Sequence, residues 1–147
     1  MNLRPLREDE VPAVMERQRS AYRTQLVEWA GLSAELADRK TAEDTAALPS
    51  GSELLALEEE GRVVGTALVA RREYYGEPRL FLYDFWIEPA ERGRGLGRAG
   101  LRAIEAEARS RGLGVLELNV WGGNAVARSL YRSEGYAEGA VFMSKTL

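Results

Sequence analysis

Arginine and glycine alternate in the run Arg92-Gly93-Arg94-Gly95-Leu96-Gly97-Arg98. Glycines at alternate positions let successive backbone N–H groups point into one concavity. A helix starting there adds its own unpaired N–H groups and the positive end of its dipole. The arginines suit a polyanionic ligand, because guanidinium forks match phosphate oxygens. The competing reading is a helix start whose glycines serve close packing and whose arginines form a solvated face. Gly95, Gly97 and Gly100 also match the G-x-G-x-x-G fingerprint, with Glu117 near the distance of a ribose-binding acid. The context opposes a dinucleotide, since the glycines follow a loop with Pro89 and the strands upstream read as hairpins. No Gly-Lys-Ser/Thr triplet is present, which excludes a P-loop.

Two absences narrow the chemistry further. The chain has 0 cysteines and 0 histidines. Disulfides, thiolate nucleophiles, Ser–His–Asp triads and nearly all catalytic zinc sites are therefore excluded, and no metal is expected. Proton transfer must use carboxylates, Tyr, Lys, backbone or water. Asp84 is the one charge in the otherwise apolar run 80–87. A carboxylate there needs a purpose or a partner. It is a candidate base, with a hydrogen bond to a neighbouring loop as the alternative. Glu117 and Asn119 are secondary candidates.

The elements that must position these residues are legible from periodicity and breakers. Residues 3–7 read as a short edge strand. Asp9 is placed to cap a helix carrying Val11, Val14, Met15, Gln18 and Tyr22 at the 3.6 period, with one polar gap. Ser33 starts a second helix running to about Ala47. Residues 53–59 and 62–71 are strands joined by a Glu60-Gly61 hairpin, and a second turn covers 73–78. Residues 80–87 predict a strand covered on both faces. A helix follows to Arg111, closed by Gly112. Then come a strand at 113–121, a helix at 124–134 and a last strand at 141–147. The order β-α-α-β-β-β-α-β-α-β predicts one α+β domain over residues 1–147, with a mixed sheet and helices on both faces.

Composition agrees with an ordinary globular chain. Of 147 residues, 45% are hydrophobic and 29% charged, inside the folded range. Lys and Arg number 20 against 23 Asp and Glu, a net charge of −3, which favours neither nucleic acid nor an anionic membrane as partner. No apolar run reaches the ~18–20 residues of a membrane span, and no signal-peptide core follows Met1. The expectation is a soluble, cytoplasmic protein.

The run from Leu82 to Gly97 resembles the acetyl-CoA-binding segment of the GNAT superfamily of N-acetyltransferases, whose signature is [RQ]-x-x-G-x-[GA]. Downstream, Asn124 opens a helix, Ala127 follows, then Leu130-Tyr131 and Gly135-Tyr136, which is similar to the family's second segment. Both motifs stand in order on the expected elements. The resemblance implies a GNAT-like acyl-CoA N-acyltransferase fold. It also implies transfer of an acetyl group from acetyl-CoA to the amine of a small molecule or peptide. Rival readings are a longer acyl donor, an O-acyl acceptor, or a CoA-binding regulatory module without catalysis.

Carried over residue by residue, the resemblance places the cofactor's pyrophosphate on Arg92, Gly93, Arg94, Gly95, Leu96, Gly97 and Arg98. Its pantetheine arm pairs with the backbone of Phe85, Trp86 and Ile87, in a cleft opened where this strand splays from residues 116–120. A backbone N–H near Ile87 would polarise the thioester carbonyl. Asn124 would contact the arm, cap its own helix, or do both. Tyr131 resembles the family's proton donor to the leaving sulfur. The acceptor pocket falls on the first two helices and the central hairpin loop, where Tyr22, Trp29, Tyr74 and Tyr75 lie. These aromatics could hold an amine, or be core residues or contacts of a homodimer.

Overall fold

A computed structural model, describing residues 1–145 and 147, gives the element order. Strand β1 (Asn2–Pro5) leads to helices α1 (Val11–Glu28) and α2 (Ala34–Asp44). Strands β2 (Ser52–Glu59), β3 (Arg62–Tyr74) and β4 (Glu77–Ile87) follow, then a 3-10 turn at Pro89–Glu91. Helix α3 (Leu96–Ser110), strand β5 (Leu116–Leu118) and helix α4 (Ala125–Ser133) complete it. The sheet runs β1-β2-β3-β4-β5, antiparallel except between β4 and β5. Among the described residues no helix is long and apolar enough to cross a membrane.

Local chemistry explains most boundaries. Ser33 Oγ accepts from the Leu36 N–H and caps α2. Glu60 and Gly61 have φ of 52° and 76°, as a tight hairpin turn requires, and Tyr75-Gly76 repeat this at the β3–β4 turn. Asp9 does not cap α1. Glu10 takes that position without a side-chain cap bond. Its carboxylate is claimed by Arg4 at 2.8 Å and by the Arg7 N–H, which tie β1 to the start of α1 and hold the acid down to about 2.

The core lies between the sheet and α3. Leu57, Val64, Val69, Leu80, Leu101 and Ile104 are fully buried there. Each buried side chain of this size contributes roughly 1.5–3 kcal/mol. Glycine lets α3 approach closely, for a Cβ on Gly100 would stand 2.4 Å from Leu57 Cδ2 and 3.2 Å from the Phe85 ring. The third glycine of the fingerprint is thus a packing residue.

Strand β4 carries an irregularity that decides which side chains face which layer. Leu68 pairs with Asp84, but Val69 pairs with Leu82, so Tyr83 is an extra residue. Such a bulge shifts the alternation by one. Leu80, Leu82, Phe85 and Ile87 pack with the α3 core, whereas Asp84 and Trp86 meet Arg17 of α1. Coverage on both faces holds only for Leu80 and Leu82; the stretch from Asp84 to Ile87 is half-buried.

Two strand expectations need correction. The strand expected at 113–121 is confined to Leu116–Leu118. The strand expected at 141–147 is absent from residues 141–145 and 147, while Thr146 lies outside the described residues. The physical reason is the exit from α4. Gly135 turns the chain at φ 89°, and Glu138 is held by Arg128 and Arg132 on that helix. Val141, Phe142 and Met143 are left without a neighbouring strand.

Replacing Gly100 by Ala tests the packing directly. Helix propensity alone favours Ala by about 1 kcal/mol, but overpacking against Leu57 and Phe85 costs about 1–3 kcal/mol. Urea unfolding should show net destabilisation. A variant as stable as the wild type or more so would contradict the close approach.

Candidate functional site

Strands β4 and β5 part where the parallel ladder ends, at Leu82 opposite Leu118. From there to Ile87, β4 is paired with β3 alone. The Glu88 N–H donates to the Val64 carbonyl at 2.9 Å. Antiparallel alternation then turns the backbone groups of Phe85 and Ile87 toward the vacated β5 side. The Ile87 carbonyl accepts from Arg92 Nε at 3.0 Å. A segment with strand-like polar groups has an open edge to pair with here.

The glycine loop adjoins the end of that edge. Gly93 and Gly95 take φ of 75° and 78°, which disfavour any side chain. Among the described residues, the N–H groups of residues 93–98 find no acceptor; the first bond of α3 is Ala99 N–H to the Gly95 carbonyl at 3.1 Å. Unpaired donors at a helix N-terminus suit an anion. Gly97 faces α4, and a Cβ there would meet Leu130 at an ordinary contact distance of 3.4 Å. Leu96 anchors the loop in the core.

The arginines of the loop already have partners. Arg94 is paired with Glu91, and Arg98 with Glu134 at 2.6 Å. Arg92 lies over the Trp86 ring, 4.5 Å from its centroid. The loop therefore offers mainly backbone donors, with the guanidinium groups around it.

Asp84 is carried by β4 and Tyr131 by α4, near enough for the carboxylate charge to act on the phenol. Asp84 Oδ2 accepts from Arg17 Nη2 at 2.9 Å and from Gln18 Nε2 at 3.0 Å. The partner is helix α1 and not a neighbouring loop. Arg17 also donates to Thr66 Oγ1 at 2.9 Å and approaches the Trp86 ring at 4.6 Å. Both bonds go to Oδ2, so the other carboxylate oxygen has no protein donor among the described residues. The Tyr131 ring packs on Tyr136 at 5.6 Å, and its hydroxyl has no bond to the described residues. Burial, and then the nearby Asp84 charge, push it up to about 12.

Asn124 caps α4, its Oδ1 accepting from the Ala127 N–H at 3.1 Å. Just before it, Gly123 makes room for Trp29, because a Cβ there would stand 2.5 Å from Trp29 Cδ1. Trp121 Nε1 donates to Gln25 Oε1 at 3.1 Å, so the end of α1 is docked on the loop leading into α4. Tyr22 turns its hydroxyl to Asp44 of α2 at 2.6 Å; burial, and then this hydrogen bond, push it up to about 12.

Not every expected residue reaches this cleft. Tyr74 stands opposite Glu77, at the other end of β4 from Asp84, about 20 Å away at ~3.3 Å per residue. Tyr75 shares that turn. Glu117 is engaged by Arg79 at 2.7 Å within the paired part of β5, whereas Asn119 directly follows the last paired residue, Leu118, and is exposed where the strands part. Arg17 and Gln18 were not anticipated. The signal for Gln18 was its place as the one polar gap on the apolar stripe of α1.

Comparison with known proteins gives the family and the fold. The sequence model of the acetyltransferase (GNAT) family matches residues 12–136. The Uncharacterized N-acetyltransferase YycN of Bacillus subtilis is 35% identical over 88 residues, 60% of this chain and 56% of that protein. In sequence, the chain spans little more than half the length of the first curated relatives it matches. The crystal structure of YycN superposes with a TM-score of 0.89 at 28% identity, covering 99% of this chain and 98% of that one. The L-methionine sulfoximine/L-methionine sulfone acetyltransferase of Pseudomonas aeruginosa is 30% identical over 109 residues, 74% of this chain and 63% of that protein.

A double-mutant cycle measures the Arg17–Asp84 link. With Arg17→Ala, Asp84→Ala and the double variant, urea unfolding should give a coupling of about 1–2 kcal/mol. A coupling near zero would mean that α1 does not hold the carboxylate.

Proposed function

Because the chain belongs to the acetyltransferase (GNAT) family, we propose that it moves an acetyl group from acetyl-CoA to a primary amine by direct attack. The observation that carries this reading is the row of free N–H groups at 93–98 beside the open edge of β4. A pyrophosphate fits the first and an amide-bearing arm fits the second. When bound, acetyl-CoA supplies the activated thioester. The residues 93–98 hold its phosphates, and the Phe85 and Ile87 backbone groups hold and orient its arm.

The chemistry asked of the side chains is proton transfer. An alkyl amine with a pKa near 10.4 is mostly protonated at neutral pH and needs a base. Asp84 is that base in our reading. Oδ2 is anchored by Arg17 and Gln18, which leaves its second oxygen for the amine. The Ile87 N–H faces the same opening and stabilises the carbonyl oxygen as it gains charge. Tyr131, raised to about 12, stays protonated throughout the working range and can donate to the leaving sulfur. The acceptor is a small-molecule or peptide amine, flanked by α1 and the Trp29 end of the cleft. The substrates named for the Pseudomonas relative put amino acids first in an acceptor panel.

Kinetics of two variants test the roles. Asp84→Asn should lower kcat while leaving the affinity for acetyl-CoA unchanged. Tyr131→Phe should cost about 10²-fold, the low end for general acid catalysis. That loss should shrink with an acyl donor whose thiol has a lower pKa. Wild-type kcat in both variants would refute the assignment.

A further inference from the structure

On the reading of Asp84 as the base, we propose that the Trp86 side chain is a positioning residue: its ring face holds the Arg17 guanidinium where Arg17 fixes the Asp84 carboxylate. Arg17 reaches over from α1 and makes both its hydrogen bonds through one terminal nitrogen. Nη2 donates to Thr66 Oγ1 and to Asp84 Oδ2, each at 2.9 Å. Nη1 is buried and has no acceptor among the described residues. A buried guanidinium nitrogen without an acceptor is costly, so this side chain needs another source of support. The Trp86 ring supplies it, with its centroid 4.6 Å from Arg17 Cζ. A π face within ~6 Å attracts a cation, more strongly where water is kept away.

The polar atom of the indole shows which part of the side chain this position uses. Trp86 Nε1 is also buried and also without a partner among the described residues. Buried Trp N–H groups usually find an acceptor. This one does not, so the ring face, and not the N–H, is what serves here. The same ring lies 4.5 Å from Cζ of Arg92, whose Nε is tied to the Ile87 carbonyl at 3.0 Å. The indole is thereby held both from α1 and from the glycine loop.

The bulge at Tyr83 makes the arrangement possible. Asp84 and Trp86 stand two residues apart in β4 and both meet α1 there, so one guanidinium reaches both. A long arginine side chain has many rotamers, and a partly exposed ion pair does not by itself select one. The ring narrows that choice. Oδ2 then stays bonded to Arg17 and Gln18, and the second oxygen of Asp84 stays free for the amine.

Two variants of the full chain separate the ring face from mere bulk. Trp86→Leu, which removes the π face, should lower kcat about tenfold, the size of one cation–π contact, with the KM for acetyl-CoA unchanged. Trp86→Phe, which keeps a π face, should recover most of that loss. Trp86→Met, longer and also without a π face, serves where Trp86→Leu does not fold. In an Arg17→Ala background, Trp86→Leu should cost nothing further. The free chain gives a second readout, because Gln18 Nε2 donates to the same Asp84 oxygen at 3.0 Å. The NMR signals of that side-chain amide should shift in Trp86→Leu and hold in Trp86→Phe. With Asp84→Asn impaired, wild-type kcat in Trp86→Leu would overturn the proposal. So would a full further loss in the Arg17→Ala background, or a Gln18 amide that does not move. Wild-type kcat in both Asp84→Asn and Trp86→Leu, with the Gln18 amide still shifted, would remove the base role alone and leave Trp86 positioning the carboxylate.

Discussion

One additional residue in β4, Tyr83, governs how the rest of the molecule is arranged around the cleft. Without it, Leu80, Leu82, Asp84 and Trp86 would share a face, and the carboxylate would enter the α3 core. With it, Phe85 and Ile87 continue the apolar face, while Asp84 and Trp86 turn to α1. A bulge also increases local twist, and β4 and β5 cease to pair at Leu82, one residue before it. The same local event frees backbone groups for a ligand and delivers a carboxylate beside them.

Helix α1 completes what the bulge begins. Arg17 pairs with Asp84 and Gln18 donates to the same oxygen, which orients the carboxylate, and Arg17 also reaches Thr66 and the Trp86 ring. Further along the helix, Gln25 and Trp29 dock on the loop before α4. The helix that carries Tyr131 is thus braced by the helix that braces Asp84. Positions of the two groups proposed to exchange protons depend on one shared support.

Features that depend on residue type were legible in the sequence. The left-handed φ at Gly93 and Gly95 admits little but glycine, and Asn124 and Ser33 cap with their own side chains. Asp9 failed as a cap because Arg4 and Arg7 gather the Glu10 carboxylate instead, an effect of the β1–α1 packing. The bulge has no residue signature, so the face of Asp84 was invisible, and with it Arg17. Tyr74 was misplaced for a related reason: a turn residue shows its loop but not how far that loop lies from the cleft. The tail at 141–145 has strand-forming composition, yet composition says nothing of where a partner strand is.

The account stands on one claim, that the open edge of β4 and the glycine loop form a single binding surface for CoA. Amide hydrogen exchange measures both parts in one experiment. Saturating acetyl-CoA should slow exchange at Phe85, Ile87 and residues 93–98 together, while β2 stays unchanged and NAD has no effect. Equal protection by NAD, or protection of the loop without the β4 edge, would contradict it.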